Sequence, residues 1–459
     1  MKNIKISLIL GASLGSFAAA SPAVAADLLD VYRLAVQNDP QIAIAEANFH
    51  AAQELKPQAR AQYLPQLQGT VDYGRTNSTS EGEQFFAGQI FLDDSENEST
   101  TTSWSVSLTQ TIFNWATINQ IQQASAEVAQ AEAEYRAAQQ ELIVRVADAY
   151  FTLLGAEDSL EAARVNREAI GQQLEQARKR FEVGLIAITD VQESQAAFDQ
   201  ATAEVIAAEQ AANSASENLR AVIGEYVEDP AAPTVEMPLI APQPTSADAW
   251  VDTALDQNLN VIASRFALQS AEQATDIRRS GHYPTLDLVA RHSESDDEFD
   301  SLDFTSLPPA TGNGTLQRTQ DFIGLQLNVP IFSGGSTQSQ VREFAYRESA
   351  ARSSLKQAMR TAEAQTRDSY LSVISDVARV QALKQAYESA QTALKATQAG
   401  YEVGTRTAVD VLDARRNELQ ALVNYQRARY DYVLNTLRLK QAAGTLTADD
   451  VAKVSTWME

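Results

Sequence analysis

Tyr401 to Ala414 reads YEVGTRTAVDVLDA, and 220 residues earlier Phe181 to Val191 reads FEVGLIAITDV. The same glycine-bearing turn occurs twice, and only the second copy carries an arginine and two aspartates three residues apart. Working outward, the surroundings repeat as well. Asp148-Ala149-Tyr150 matches Asp368-Ser369-Tyr370 at the same offset of 220, while LTQTIF (108–113) matches LNVPIF (327–332) and Pro65 matches Pro284 at 219. A near-constant offset over such a distance marks an internal duplication. Each half runs helix, strand, polar loop, strand, very long helix, turn, helix.

The long helices rest on heptad spacing. Ile121, Ala124, Val128, Ala131, Tyr135, Ala138 and Leu142 step by three and four, and Val146, Ala149, Leu153, Ala156, Leu160 and Ala163 resume the seam. Tyr370, Val373, Val377 and Val380, then Tyr387, Ala390, Leu394, Thr397 and Tyr401, do the same in the second half. The predicted helices span 115–182 and 335–401, each roughly 100 Å long. Shorter helices return over 188–223 and 407–443, and others precede the strands over 27–61 and 247–279. Asn38-Asp39-Pro40 reads as a helix start inside the first of these. On periodicity alone a solvated coiled-coil stalk is an alternative. Five prolines between Val227 and Pro244 mark a connector lying against the helices. The predicted layout is therefore a leader (1–25), a first repeat (26–226), a Pro-rich equatorial connector (227–246), a second repeat (247–443) and a C-terminal equatorial segment (444–459).

Four segments alternate in hydropathy, at about 66–76, 103–113, 284–293 and 320–332. Trp104, Val106, Leu108 and Ile112 share one face, opposite serines and threonines. Leu67, Val71 and Tyr73, then Leu286, Leu288 and Ala290, then Ile323, Leu325 and Leu327, form the apolar faces of the others. Each run approaches the ~9–11 residues of a membrane-crossing strand. A half-buried sheet of a soluble protein alternates likewise, but a small hydrophilic opposite face suits a water-filled bore. Four strands leave two open edges, which a bilayer does not tolerate. Two copies make an eight-stranded barrel filled by side chains, and three make a twelve-stranded one with an aqueous channel. The acidic stretches 76–100 and 293–319 read as solvated outer loops; they lack the glycine and spacing of a calcium-binding EF-hand.

Composition narrows the class. A formal net charge of -24 argues against a nucleic-acid partner, which needs a basic face. There is no cysteine, which removes disulfides, thiol chemistry and a lipid-modified N-terminal cysteine. The three histidines, His50, His282 and His292, lack metal-ligand spacing, and no phosphate-loop or nucleophile-elbow motif occurs, so an enzyme is disfavoured and no cofactor is expected. Lys2 and Lys5, the apolar run from Ile6 to Ala20 and the Ala23-Val24-Ala25 site have the order of a secretory signal peptide. Its removal would take the formal charge to -26. A membrane anchor is the alternative, though the run is short for a span, and no later segment holds the ~18 apolar residues a spanning helix needs.

These features resemble the TolC family of outer-membrane efflux channels over nearly the whole mature chain. The carriers are the duplicated layout, PQL and PTL before the first strand of each hairpin, PIFSGG after the fourth strand, and above all the tips RFEVGLIAITDV and GYEVGTRTAVDVLDA. The resemblance implies a mixed α/β membrane protein: a trimeric twelve-stranded β-barrel, four strands per chain, continued by a long periplasmic α-helical barrel. It implies a homotrimer in outer-membrane lipid that docks a periplasmic adaptor (membrane fusion) protein and an inner-membrane pump of the RND or ABC type. The exported cargo would be drugs, detergents, bile salts or proteins, as in multidrug efflux and type I secretion.

By matching position, the resemblance assigns a gate latch to Thr189, Asp190, Tyr401 and Arg406, with Arg406 binding Asp190 and Thr189 and Tyr401 binding Asp190. It assigns an acidic constriction to Asp410 and Asp413, and adaptor docking to Val183, Gly184, Leu185, Val403, Gly404 and Thr405. Asp410 and Asp413 share one helix face, so three chains would ring the axis with carboxylates able to take multivalent cations. Each also fits a solvated helix start, where acids favour the dipole, and Arg415 and Arg416 stand close enough to neutralise part of the ring. A soluble periplasmic coiled-coil scaffold is the remaining alternative function.

Overall fold

The computed structural model describes residues 27–86, 89–227, 230–234, 237–303 and 310–458. The expected signal peptide lies outside the described residues.

Both long helices are unbroken: α4 over Trp115–Glu182 and α8 over Ser336–Glu402. The preceding short helices are more segmented than a single run. In the first repeat they are α1 (Leu28–Asn38), α2 (Pro40–Gln53) and α3 (Leu55–Ala61). In the second they are α6 (Ala247–Gln257) and α7 (Leu259–Arg279). The break at Asp39 is the capped start that the Asn-Asp-Pro run suggests, its carboxylate accepting the Gln41 and Ile42 N–H groups at 2.8 and 2.9 Å. Asn258 caps α7 in the same way, a break without a proline to announce it. The returning helices are α5 (Ile188–Ile223) and α9 (Ala408–Ala442), and α10 (Ala448–Ser455) closes the described chain.

Within the chain α4 is central. It packs on α5, α7 and α9, and buries residues along its whole length from Thr117 to Ala177. By contrast α8 buries nothing before Ala362 and only Leu394 beyond Val380, so it is an edge helix with an uncovered side. The main core sits at mid-height, where aromatic residues Tyr150, Phe151, Tyr370, Tyr430 and Tyr432 gather. There the connector is pinned from within. Tyr150 donates to the Ala231 carbonyl at 2.7 Å and Tyr370 to the Thr245 carbonyl at 2.5 Å. These tyrosines are the two copies of the repeated Asp-x-Tyr motif, which thereby has a structural reason. Buried Arg429 donates to the carbonyls of Pro233 and Thr234, and Thr234 N–H donates to the Trp457 carbonyl, which joins the connector to the C-terminal segment.

The strands form one antiparallel sheet in the order β1 (Gln66–Phe86), β2 (Gln89–Phe113), β3 (Thr285–Asp303), β4 (Ala310–Asn328). The β2–β3 ladder joins the two repeats. Register brings all four apolar faces to one side. Leu67, Leu108, Ala290 and Ile323 lie in a single cross-strand row, with Gln110, Leu288 and Leu325 in the row nearer the helices. These side chains have no cover: Leu67 is 72% exposed and Ile323 77%. Further out the face turns polar, where His292 bonds Asp321 at 2.6 Å beside Trp104.

Two expectations are corrected here. The stretches 76–100 and 293–319 are largely strand, not loop. Over much of their length both faces are hydrophilic, as in β3 where Glu294, Asp296, Glu298 and Asp300 alternate with Ser293, Ser295 and Asp297; exposed apolar residues such as Phe85 and Leu316 are scattered, so no period-2 hydropathy marked them. Conversely β4 stops at Asn328 rather than near 332, because Pro330 cannot donate to a ladder.

Candidate functional site

The two hairpin tips lie at the far end of the helices from the sheet, side by side in one chain. Each tip ends its long helix at a glycine with positive φ, Gly184 (75°) and Gly404 (79°). The chain then folds back, Leu185 N–H donating to the Arg180 carbonyl and Thr405 N–H to the Gly400 carbonyl, at 2.9 and 2.8 Å. This is glycine-terminated helix geometry, which a side chain at either position would strain. Around the glycines the tips present apolar side chains to solvent, including Leu185 (72% exposed) and Val403 (76%). Val183, Gly184, Gly404 and Thr405 are exposed with them.

The tips touch through Leu412 of the second, which packs on Ile170 and Ala201 of the first. Gln173 on α4 donates to the Ala408 carbonyl at the start of α9 at 3.3 Å. Above the turn, the guanidinium of Arg180 lies over the Tyr401 ring, 4.8 Å from its centroid. Gln173 and Arg180 are contacts that sequence reading did not single out; the arginine preceding FEVG was the available signal.

The repeat-equivalent acids Asp190 and Asp410 have different surroundings. Thr407 caps α9, and Asp410 closes a reciprocal capping box with it: Asp410 N–H donates to the Thr407 hydroxyl, and the Asp410 carboxylate accepts from Thr407 N–H. The Thr407 backbone and hydroxyl, with Arg406 nearby, hold the Asp410 carboxyl below the ordinary carboxylate value. The first tip has Ala187 at the capping position, which has no side chain to engage Asp190 in this way. Asp413 faces Arg416 at 3.5 Å with both side chains well exposed, a weak pair. Thus both members of the expected acidic ring have partners within their own helix. Thr189 is exposed, Asp190 half-buried and Arg406 exposed. Among the described residues, no hydrogen bond or ion pair joins Arg406 or Tyr401 to Thr189 or Asp190 inside one chain.

Such a site holds polar and charged groups at the helix tips and, among the described residues, offers no constellation for covalent chemistry. Among the described residues no group of side chains could hold a metal ion, and no helix is long and apolar enough to cross a membrane.

Comparison with known proteins agrees with this architecture. The family model described as "Outer membrane efflux protein" matches residues 31–225 and 250–445, one match per repeat. The chain is 34% identical over 449 residues to the outer membrane protein TolC of Vibrio cholerae, covering 98% of this chain and 97% of that one. It is 30% identical over 436 residues to the alkaline protease secretion protein AprF of Pseudomonas aeruginosa, covering 94% and 87%. Among solved structures it superposes on the CusC channel with a TM-score of 0.71 at 18% identity, covering 91% of this chain and 92% of that chain. The outer membrane protein VceC of Vibrio cholerae gives a TM-score of 0.69 at 21% identity, covering 91% and 96%.

Proposed function

The chain belongs to the outer membrane efflux protein family, and from that membership we propose that it is the exit duct of a tripartite efflux or type I secretion system, gated at its helix tips. At the coarser level, it is an outer-membrane channel of the efflux and secretion type, and its family conducts transport without enzymatic chemistry.

The observation that carries the finer reading is the open sheet. Among the described residues β1 and β4 each pair on one side only, and the shared face is apolar and bare. In hydrocarbon every unpaired backbone group costs several kcal/mol, so the edges must meet those of other copies. Three chains close twelve strands around an aqueous bore. The helical layer supports the same assembly: α8 carries exposed Leu371 and Ile374, and the opposite side of the chain carries exposed Ile44 and Ile206. A soluble periplasmic scaffold has no use for these faces. With the barrel in the membrane, the roughly 100 Å helices extend into the periplasm and bring the tips toward an inner-membrane pump.

In the trimer six tips surround one entrance. Arg406 then closes on Thr189 and Asp190, and the Tyr401 hydroxyl on Asp190. Asp190 is suited to accept because no side chain caps its helix, unlike Asp410. An arginine–carboxylate bond is stronger than a neutral one, yet at a solvated tip it stays weak enough to release. The exposed turns at Val183, Gly184, Leu185, Val403, Gly404 and Thr405 offer the adaptor an apolar, backbone-accessible contact. Cargo follows from the pump: drugs, detergents and bile salts for an RND pump, proteins for an ABC secretion pump.

The test is purified protein in planar bilayers. A trimer that resists high-salt extraction from outer membranes and conducts ions supports the duct. Arg406→Ala or Tyr401→Phe should raise its single-channel conductance; unchanged conductance in both would remove the latch.

A further inference from the structure

We propose that Arg180 is a further latch residue, which ties the first tip to the second within each chain through the face of the Tyr401 ring. The proposal rests on the tip-gate reading above.

Three observations carry it. The first is the contact itself, with the guanidinium carbon 4.8 Å from the ring centroid, within the range of a cation–π interaction. Arg180 stands in the last turn of α4, where the helix dipole favours a cation. Its carbonyl is fixed by the Leu185 N–H, so the turn at Gly184 sets where its side chain starts. The neighbouring Arg178 is engaged elsewhere, with Glu175 at 2.8 Å and Gln195 at 2.7 Å.

The second is how the duplicated positions diverged. The offset of 220 makes Gly400 the counterpart of Arg180, and Ile186 the counterpart of Arg406. A Cβ at position 400 would come within 2.8 Å of Arg406 Cγ and 3.2 Å of Thr405 Oγ1. Glycine there makes room for the Arg406 stem to lie back on the helix end. In the first tip the loop position is Ile186, which packs toward Leu174, Ala177 and Val191. At this pair of duplicated positions each tip therefore carries one arginine, in complementary places: the first sends it from the helix end, the second from the loop. A helix-end side chain in the second tip would displace Arg406.

The third is that Tyr401 presents two separable surfaces. Its ring face receives Arg180, and its hydroxyl is left to the Asp190 link. The intrachain tie holds the two hairpins of a chain together in the closed entrance. Opening then requires Arg180 to leave the ring before the hairpins can separate.

Removing the hydroxyl and removing the ring are different experiments. In the full-length trimer in planar bilayers, Arg180→Ala should raise single-channel conductance about two-fold or more, while Arg180→Lys, which keeps a cation for the ring, should stay closer to wild type. Tyr401→Leu should open the channel further than Tyr401→Phe. Arg180→Ala should add to Tyr401→Phe and add nothing to Tyr401→Leu. SDS-resistant trimer in every variant controls for assembly. The tie is overturned if Arg180→Ala leaves conductance unchanged, or if its effect multiplies fully with that of Tyr401→Leu, while Tyr401→Phe and Arg406→Ala still open the channel. If none of these variants changes conductance, the gate reading fails and the tie with it.

Discussion

The carboxylate of Asp410 accepts both the backbone N–H and the hydroxyl of Thr407, at 2.8 and 2.9 Å. One oxygen of the acid thus belongs to the start of α9 before any ion approaches. Asp413, one turn on, has only the loose 3.5 Å contact with Arg416.

Cation block at the tips should therefore be unequal between the two acids. Asp413→Ala should remove more of any block by trivalent cations than Asp410→Ala, and Arg416→Ala should strengthen it, because a screened surface pair competes weakly but directly for the carboxylate. Titration of conductance with hexaamminecobalt on the tip side measures all three. Equal effects of the two aspartates would show that the capping box does not withdraw Asp410.

Adjacent residues on β1 should respond oppositely to the same substitution. Val71 belongs to the bare apolar face, and Thr70 points to the other side. Val71→Arg places a charge toward lipid at a cost of up to about 2–4 kcal/mol, depending on depth. Assembled trimer in the outer membrane should fall sharply for Val71→Arg and persist for Thr70→Arg, as read by heat-modifiable bands on gels.

Buried Arg429 holds the connector through two carbonyls and lies 5.7 Å from the Tyr425 ring centroid. Arg429→Met leaves those carbonyls without their donor, a loss of about 3 kcal/mol. Arg429→Lys keeps the charge but not the planar fork, and should recover only part of the loss. Limited proteolysis within 227–246 and the temperature of trimer dissociation should report the same order: wild type, Lys, Met.

The acid side of the stability profile should involve Asp450. Burial alone would raise its carboxyl, but Lys440 at 2.6 Å, the Thr447 N–H and Lys453 together hold it below the usual value. A depressed folded value means the stabilisation is complete above the unfolded value of about 3.9 and is lost as pH falls through the lower folded one. Amide-exchange protection of residues 448–458, corrected for intrinsic rates, should hold down to about pH 4 and then decline. Asp450→Asn should already be less protected at neutral pH and should lack that decline.

Much of the architecture was legible because it repeats at short range. Heptad spacing announced α4 and α8, alternation announced the membrane-facing parts of the strands, and the twin FEVG and YEVG turns announced the tips. The outer halves of the strands were hidden, since a strand with water on both faces needs no apolar alternation. The break at Asn258 was hidden because a side-chain cap needs no proline. At the tips the residue types were legible, whereas the partition of their bonds was not. Asp190 and Asp410 occupy equivalent positions, yet only Asp410 has a threonine at its cap, and only the fold brings Arg180 from 221 residues away in the chain onto Tyr401.

By itself the sequence determined the duplication, the two helix lengths, the apolar side of each strand and the glycines on which the hairpins turn. Each of these depends on neighbours within a few residues, through backbone hydrogen bonding and side-chain period. Tertiary structure alone decided which strand lies beside which, that β1 and β4 remain open, and which tip residue contacts which. Those outcomes depend on register between segments far apart in the chain, where packing and distance, rather than local preference, select the partner.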